Sequence, residues 1–372
     1  MAKKQKMHRL HWEEFYMKVI VYAIAKNEAH FVNRWVDSMQ EADEIIVLDT
    51  GSTDDTVEKL KKRNVKVYEK KIYPWRFDTA RNEALALVPK DADICVSTDL
   101  DEVFVPGWRE ILEKNWQEQN PTRARYTYNW KLDEQNNPRV TFLANKIHNR
   151  TDYHWQNPVH EVLTSKTEER EIEVPIVLNH YPDPIKSRSS YLPLLEISVE
   201  EDPENDRNLH YLGREYMFYQ KWDDCIKTLH RHLNCKNATW KDERCASMRF
   251  LGRAYQAKGY LEEAENWWQR AIKEAPYLRE GYIELAGLYV SQNKYQEAYE
   301  LLSKAYEIKE KSKSYINEEF AWNDAFYDLF SLAAFYTGRY QEAIDFVKEA
   351  IKMNPEEKRY QKNLELMLPY DS

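Results

Sequence analysis

Between residues 18 and 100 the chain alternates short apolar runs with stretches whose apolar positions recur at helical spacing. The runs at 18–24 (KVIVYAI), 44–49 (EIIVLD), 65–68 and 94–98 predict strands, and 29–39, 54–63 and 78–88 predict amphipathic helices. A strand–helix order repeated this way implies an α/β, Rossmann-like domain with a mostly parallel sheet covered on both faces. In such sheets ligands gather at the carboxyl ends of the strands. After residue 123 the pattern changes to short β-prone segments with many polar residues, up to about 181. Pro182, Pro184 and Pro193, with the acidic stretch 200–206, mark a junction. The expected division is a first domain over 1–185, a linker over 186–207 and a second domain over 208–372.

The second domain repeats. Cys225, Ala264, Ala298 and Ala343 stand in one column, thirteen residues after Leu212, Leu251, Leu285 and Phe330. Gly213, Gly252, Ala286 and Ser331 form a small-residue column, and Tyr216, Tyr255, Tyr289 and Ala334 another. His232, Ala271, Ala305 and Ala350 complete the pattern, with Pro276 and Pro355 closing two units. The column advances by 39, 34 and 45 residues, around the 34-residue helix–turn–helix period. Small residues let two helices approach, and the tyrosines fill the gap between units. The pattern resembles the tetratricopeptide repeat and predicts an all-α array over 208–367.

Three clusters carry candidate chemistry in the first domain. Asp99 and Asp101 follow the fourth predicted strand and, if it persists, share one face, while Leu100 turns inward. No basic residue lies within five positions of them, so a cation between them would relieve their repulsion. Hard oxygen donors suit Mg2+ or Mn2+, which keep open positions for phosphate oxygens. The alternative is a solvated loop. Glu28 ends the segment AKNE after the first strand, and Asp49 ends the second strand within LDTGSTDDT, where Ser52 or Thr53 can cap the next helix. Capping does not require Asp49, whose carboxylate is placed to accept from a base or ribose. The third cluster is WQNPVHEV at 155–162, holding His160 and Glu161. His160 is a candidate metal ligand through a neutral ring nitrogen. Glu161 is the candidate general base, with Asp152 next in line. On an extended strand neighbours face opposite ways, so both enter one site only through a bulge or turn.

In combination and order, KNE, LDTGSTDDT, FDTARNEAL and TDLDE resemble a family 2 glycosyltransferase of the GT-A fold, over about 18–162. With repeats attached, the chain is similar to bacterial and prophage peptide S-glycosyltransferases and to lipopolysaccharide-core transferases. The resemblance implies inverting transfer from a nucleoside-diphosphate sugar, with a UDP-sugar expected. It implies that Glu28, Asp49, Arg81 and Asp99 bind the nucleotide sugar and that Asp101 holds the metal. Arg81 reads equally well as a helix residue paired with an acid. A protein or peptide acceptor is expected through the repeats, with a glycolipid as the alternative. Self-association into a homodimer is another use for the array. A non-catalytic peptide-binding protein is the competing class, as is a nucleotidyltransferase. The latter would carry a glycine-rich basic phosphate loop after the first strand, which AIAKNEA lacks.

Composition narrows the setting. A net charge of −9 argues against a general nucleic-acid binder but leaves room for one diphosphate. No run of about 18 apolar residues is present, so no transmembrane segment is expected. The four cysteines form no CxxC pair, and the start of the chain lacks a signal-peptide pattern. A reducing, cytoplasmic setting is the expectation. The 26 tyrosines and 12 tryptophans read first as packing residues.

Overall fold

The computed structural model describes residues 16–183, 189–312 and 314–370; the basic stretch 1–15 and Pro184 lie outside the described residues. The chain opens with β1 (Val19–Ala25), α1 (Val32–Met39), β2 (Glu44–Asp49), α2 (Thr56–Lys62), β3 (Lys66–Glu69), α3 (Phe77–Leu87) and β4 (Ile94–Ser97). There follow β5 (Glu102–Phe104), α4 (Trp108–Gln119), β6 (Arg123–Leu132), β7 (Pro138–Asn149), β8 (Tyr153–Gln156), β9 (Val162–Ser165) and β10 (Glu171–His180).

Eight strands form one sheet in the order β3-β2-β1-β4-β7-β6-β10-β5, and β8 pairs with β9 as a separate hairpin. The run from β3 to β4 is parallel throughout, as is β6 with β10, while β7 and β5 pair antiparallel. β1 explains the double cover. Its odd residues Val19, Val21 and Ala23 pack with Trp35 and Trp108 from α1 and α4. Its even residues Ile20 and Tyr22 pack with Ala84 and Leu85 of α3 and with Trp155. A strand apolar at every position is what burial on both faces demands.

The rest is helical: α5 (Tyr191–Glu201), α6 (Asp206–Phe218), α7 (Trp222–Asn234), α8 (Lys241–Ala257), α9 (Leu261–Glu274), α10 (Glu280–Ser291), α11 (Tyr295–Glu307), α12 (Asp324–Tyr336), α13 (Tyr340–Met353) and α14 (Lys358–Met367). Four antiparallel pairs, α6/α7 to α12/α13, form the array. Cys225, Ala264, Ala298 and Ala343 are fully buried at the helix contacts. A Cβ on Gly213 would lie 2.5 Å from Leu229 Cγ, and one on Gly252 2.4 Å from Trp268 Nε1, so these helices touch only because glycine stands there. Tyr216 and Tyr255 pack against one core cluster of the array, and Tyr289 against the next. The 45-residue spacing arises from an insertion, 309–321, between α11 and α12.

The stretch 186–207 carries α5, which buries Leu192, Leu194, Leu195 and Val199 with Val159 of the first domain and Leu209 and Tyr211 of α6. No described helix is long and apolar enough to cross a membrane. All four cysteines are buried and unbridged.

Candidate active site

The loops after β1 and β2 are laced together. Asp49 Oδ1 accepts from the backbone amides of Gly51 and Ser52, both at 2.9 Å, where Gly51 takes a left-handed φ of 112°. Asn27, itself left-handed, accepts from Thr53 N at 2.7 Å, and its own amide donates to Ser52 Oγ at 2.8 Å. Glu28 is buried, and its amide donates to Thr56 Oγ1 at 2.8 Å. Asp49 thus shapes the turn that faces the carboxyl ends of β1 and β2.

Beyond β4, Asp99 and Asp101 are placed differently. Asp99 Oδ1 receives Arg81 Nη2 at 2.8 Å, and its Oδ2 lies 3.3 Å from Lys146 Nζ. Arg81 also donates from Nε to Glu161 Oε1. Its guanidinium sits 5.1 Å from the centre of the Trp155 ring. Its side chain is only 5% exposed, so α3 presents a buried cation that gathers two carboxylates from distant segments. Burial opposes that charge, but Asp99 and Glu161 outweigh it and hold the arginine charged.

Lys146 of β7 does the same for a third acid, Glu102, at 3.0 Å. Glu102 Oε1 also accepts from Tyr128 OH at 2.9 Å, and its Oε2 from Asp99 N at 2.9 Å. Burial lifts Glu102 above the usual carboxylate range despite Lys146, with Asp99 and Asp101 adding to the rise. The neutralising charges missing from the sequence around Asp99 therefore come from α3 and β7.

Asp101 has a different neighbour. Its Oδ2 is 3.4 Å from Nε2 of His180, at the end of β10. His180 Nδ1 pairs with the carbonyl of Trp130 at 3.0 Å, and the Trp130 ring stacks on the imidazole at 4.4 Å. Burial works against a charged His180, yet Asp101 raises its pKa above the ordinary histidine value. Lys146, His180 and Glu102 were not among the candidates read from the sequence. Glu102 closes the TDLDE segment without a role of its own there, and the trace of His180 is the polar Asn179-His180 pair ending an alternating strand.

His160 and Glu161 part company. His160 adopts a left-handed φ of 50°, which turns the chain between them. Glu161 reaches Arg81, whereas the His160 ring stacks on Tyr211 of α6 at 3.9 Å and meets Tyr191 edge-on at 5.6 Å. Arg207 Nη1 holds the His160 carbonyl at 2.7 Å, and Asn208 Nδ2 donates to Asn157 Oδ1 at 3.2 Å. The loop bearing Glu161 is thereby fastened to the first helix of the array.

With Arg81, Asp99 and Glu161 joined at the carboxyl ends of parallel strands, the matches to known proteins fall on the same segment. Residues 20–166 match glycosyl transferase family 2. The chain carries a family 2 glycosyl transferase domain. Tetratricopeptide repeats follow it, matched over 244–274, 280–312 and 325–357. A TPR repeat-containing protein of Synechococcus elongatus is 28% identical over 149 residues, which cover 39% of this chain and 35% of that protein. The chain thus spans about a third of the relative's length. Among solved structures, MamA is 22% identical with a TM-score of 0.36, covering 46% of this chain and 91% of MamA. Yeast Tom70 is 14% identical with a TM-score of 0.37, covering 50% of this chain and 36% of its own.

Proposed function

We propose that this chain is an inverting glycosyltransferase that moves a sugar from a nucleoside-diphosphate sugar, a UDP-sugar by preference, to a protein or peptide acceptor. The observation that carries this reading is the buried Arg81, which holds Glu161 and Asp99 beside Asp101 in a family 2 glycosyl transferase domain.

On this reading Glu28, Asp49 and Asp99 border the nucleotide and its sugar, and Arg81 fixes Asp99. Asp101 and His180 are the residues that would hold a divalent ion, a role for which we favour His180 over His160. Among the described residues no group of three His, Cys, Asp or Glu side chains could hold an ion. Two protein donors fit an ion that takes its remaining ligands from the diphosphate. An oxygen with a ring nitrogen suits Mn2+ at least as well as Mg2+. When bound, such an ion would neutralise charge on the leaving diphosphate.

Arg81 engages one oxygen of Glu161 and leaves Oε2 without a partner among the described residues. On this reading that oxygen takes the acceptor's proton as the acceptor attacks the anomeric carbon, with the nucleoside diphosphate leaving from the opposite face. The fixed guanidinium keeps the carboxylate from swinging away, which is the positional part of catalysis.

The test is a thermal-shift panel of nucleoside diphosphates with and without Mn2+. A ligand at about 100 times its Kd stabilises the folded state by about 2.7 kcal/mol. A Mn2+-dependent shift in the wild type and in Glu161→Gln, lost in Asp101→Asn, supports the reading. An unchanged shift in Asp101→Asn refutes the ion assignment, and no shift with any nucleotide refutes the transferase reading.

A further inference from the structure

The insertion 309–321, of which Lys313 is outside the described residues, lies across the first helices of the repeats. It makes contacts of the kind a bound peptide would make. Tyr315 stacks on Tyr211 of α6 at 5.9 Å, meets Trp240 at 5.3 Å and donates its hydroxyl to Glu243 of α8. Ile316 is buried in the array's core with Met248 and Leu251. Glu318 accepts from Arg249 and, at 2.8 Å, from Arg253, both on α8. The amide of Glu318 donates to Glu280 Oε1 of α10 at 3.1 Å. Asn317 closes the turn from within by donating to Ser314 O at 2.8 Å.

The surface beneath is built to receive a carboxylate. Arg249 is fully buried and Arg253 about a quarter exposed, and Glu284 of α10 braces both, at 2.9 and 2.8 Å. One shared glutamate leaves two adjacent guanidiniums with donors to spare, which Glu318 takes up. The far end of the insertion reaches the first domain: Glu319 pairs with Lys131 at the end of β6, and Lys311 donates to the Arg139 carbonyl of β7.

We propose that the face formed by α6, α8 and α10 is a peptide-binding surface selecting an aromatic residue three positions before a carboxylate, and that the chain occupies it with its own Tyr315–Glu318. The insertion ties the array to the β6–β7 hairpin. An external protein gains this face only by presenting the same pattern and displacing the insertion. A tethered segment competes at an effective concentration on the order of millimolar. A free peptide at tens of micromolar therefore occupies almost none of the wild-type chain. This inference goes beyond the transferase reading and does not rest on it.

The experiment uses the full chain and a labelled synthetic peptide with the sequence of residues 312–321, read by fluorescence anisotropy. The wild type shows no binding up to about 50 μM, as the tether requires. The triple variant Tyr315→Ala, Ile316→Ser, Glu318→Ala empties the face and binds the peptide. Adding Arg253→Met weakens that binding at least about tenfold, the effect of losing a charge-assisted hydrogen bond. A triple variant with wild-type helical circular dichroism that fails to bind overturns the proposal, as does equal binding by the wild type. Should the triple variant unfold, hydrogen exchange of the wild type decides. Amides of 316 and 318 protected like those of α8 support an occupied face, and exchange at the rate of an open loop overturns it.

Discussion

His210 on α6 is fully buried, with Nδ1 2.8 Å from Ser247 Oγ and no partner for Nε2 among the described residues. Burial drives its pKa down to about 3, against the pull of Glu243 and with help from His232, Arg214 and Arg249. An unfolded histidine titrates near 6.5, so below that pH the unfolded chain binds a proton that the folded chain refuses. The stability tied to neutral His210 is complete above about pH 6.5 and is lost as pH falls toward about 3. Linkage gives a loss of about 0.2 kcal/mol at pH 7 and about 2 kcal/mol at pH 5. Other groups in the array pull the other way: burial raises Glu280 and Asp328, which take up protons more readily when folded. A difference between two proteins cancels them. His210→Asn keeps a polar atom near Ser247 and cannot titrate. It should be destabilised by a roughly constant amount from lost packing, yet lose about 2 kcal/mol less than the wild type between pH 7 and 5. Urea unfolding at both pH values, followed by the helical circular dichroism to which the array contributes most, measures this. Curves that shift together within about 0.5 kcal/mol would refute the argument, because an array that admits a charged His210 is not sealed around that ring.

Two further outcomes are expected. Gly252→Ala gains about 1 kcal/mol of helix propensity, but its Cβ would meet the buried Trp268 indole at 2.4 Å and displace the bond from Nε1 to the Arg249 carbonyl. Overpacking of about 1–3 kcal/mol outweighs the gain, so the melting temperature should fall by a few degrees, and an equal or higher value contradicts the packing. Arg207→Met frees the His160 carbonyl and loosens the loop of Glu161 without touching Asp49, Asp99 or Asp101. Turnover of the nucleotide sugar should drop about tenfold or more while the Mn2+-dependent thermal shift persists, and the reverse pattern would remove Arg207 from the positioning of Glu161.

Much of the first domain was legible because β1, β2 and β4 are largely buried on both faces. Such strands are unbroken apolar runs, and 44–49 coincides with β2 while 94–98 exceeds β4 by one residue. The repeats were legible for a related reason, since helices packed this closely accept only small residues at fixed intervals. α5 was not. Pro193 and the acidic run after it read as breakers, yet Pro193 falls in the first turn, where its missing amide costs nothing. Leu192, Leu194, Leu195 and Val199 then supply a buried face.

The site divides along the same line. Acids at strand ends announce themselves by position, because a carboxylate after an apolar strand has few structural reasons to be there. Their partners do not, since Lys146 and His180 stand on β7 and β10, whose pairing is irregular and whose sequences alternate weakly. The absence of nearby basic residues around Asp99 and Asp101 suggests a cation that relieves their repulsion, with Asp101 as its ligand. The fold instead supplies Arg81 and Lys146 to Asp99 and leaves Asp101 to His180, so the two acids are not equivalent. His160 and Glu161 make the same point through the backbone. Period-2 alternation sets neighbours on opposite faces. Here a left-handed residue at 160 performs the separation, a conformation that histidine tolerates better than a β-branched residue would. One side chain is sent to Arg81 and the other to Tyr211, so a single turn joins the candidate base to the repeat array. Any change that lets His160 relax to an extended backbone must therefore move Glu161 as well.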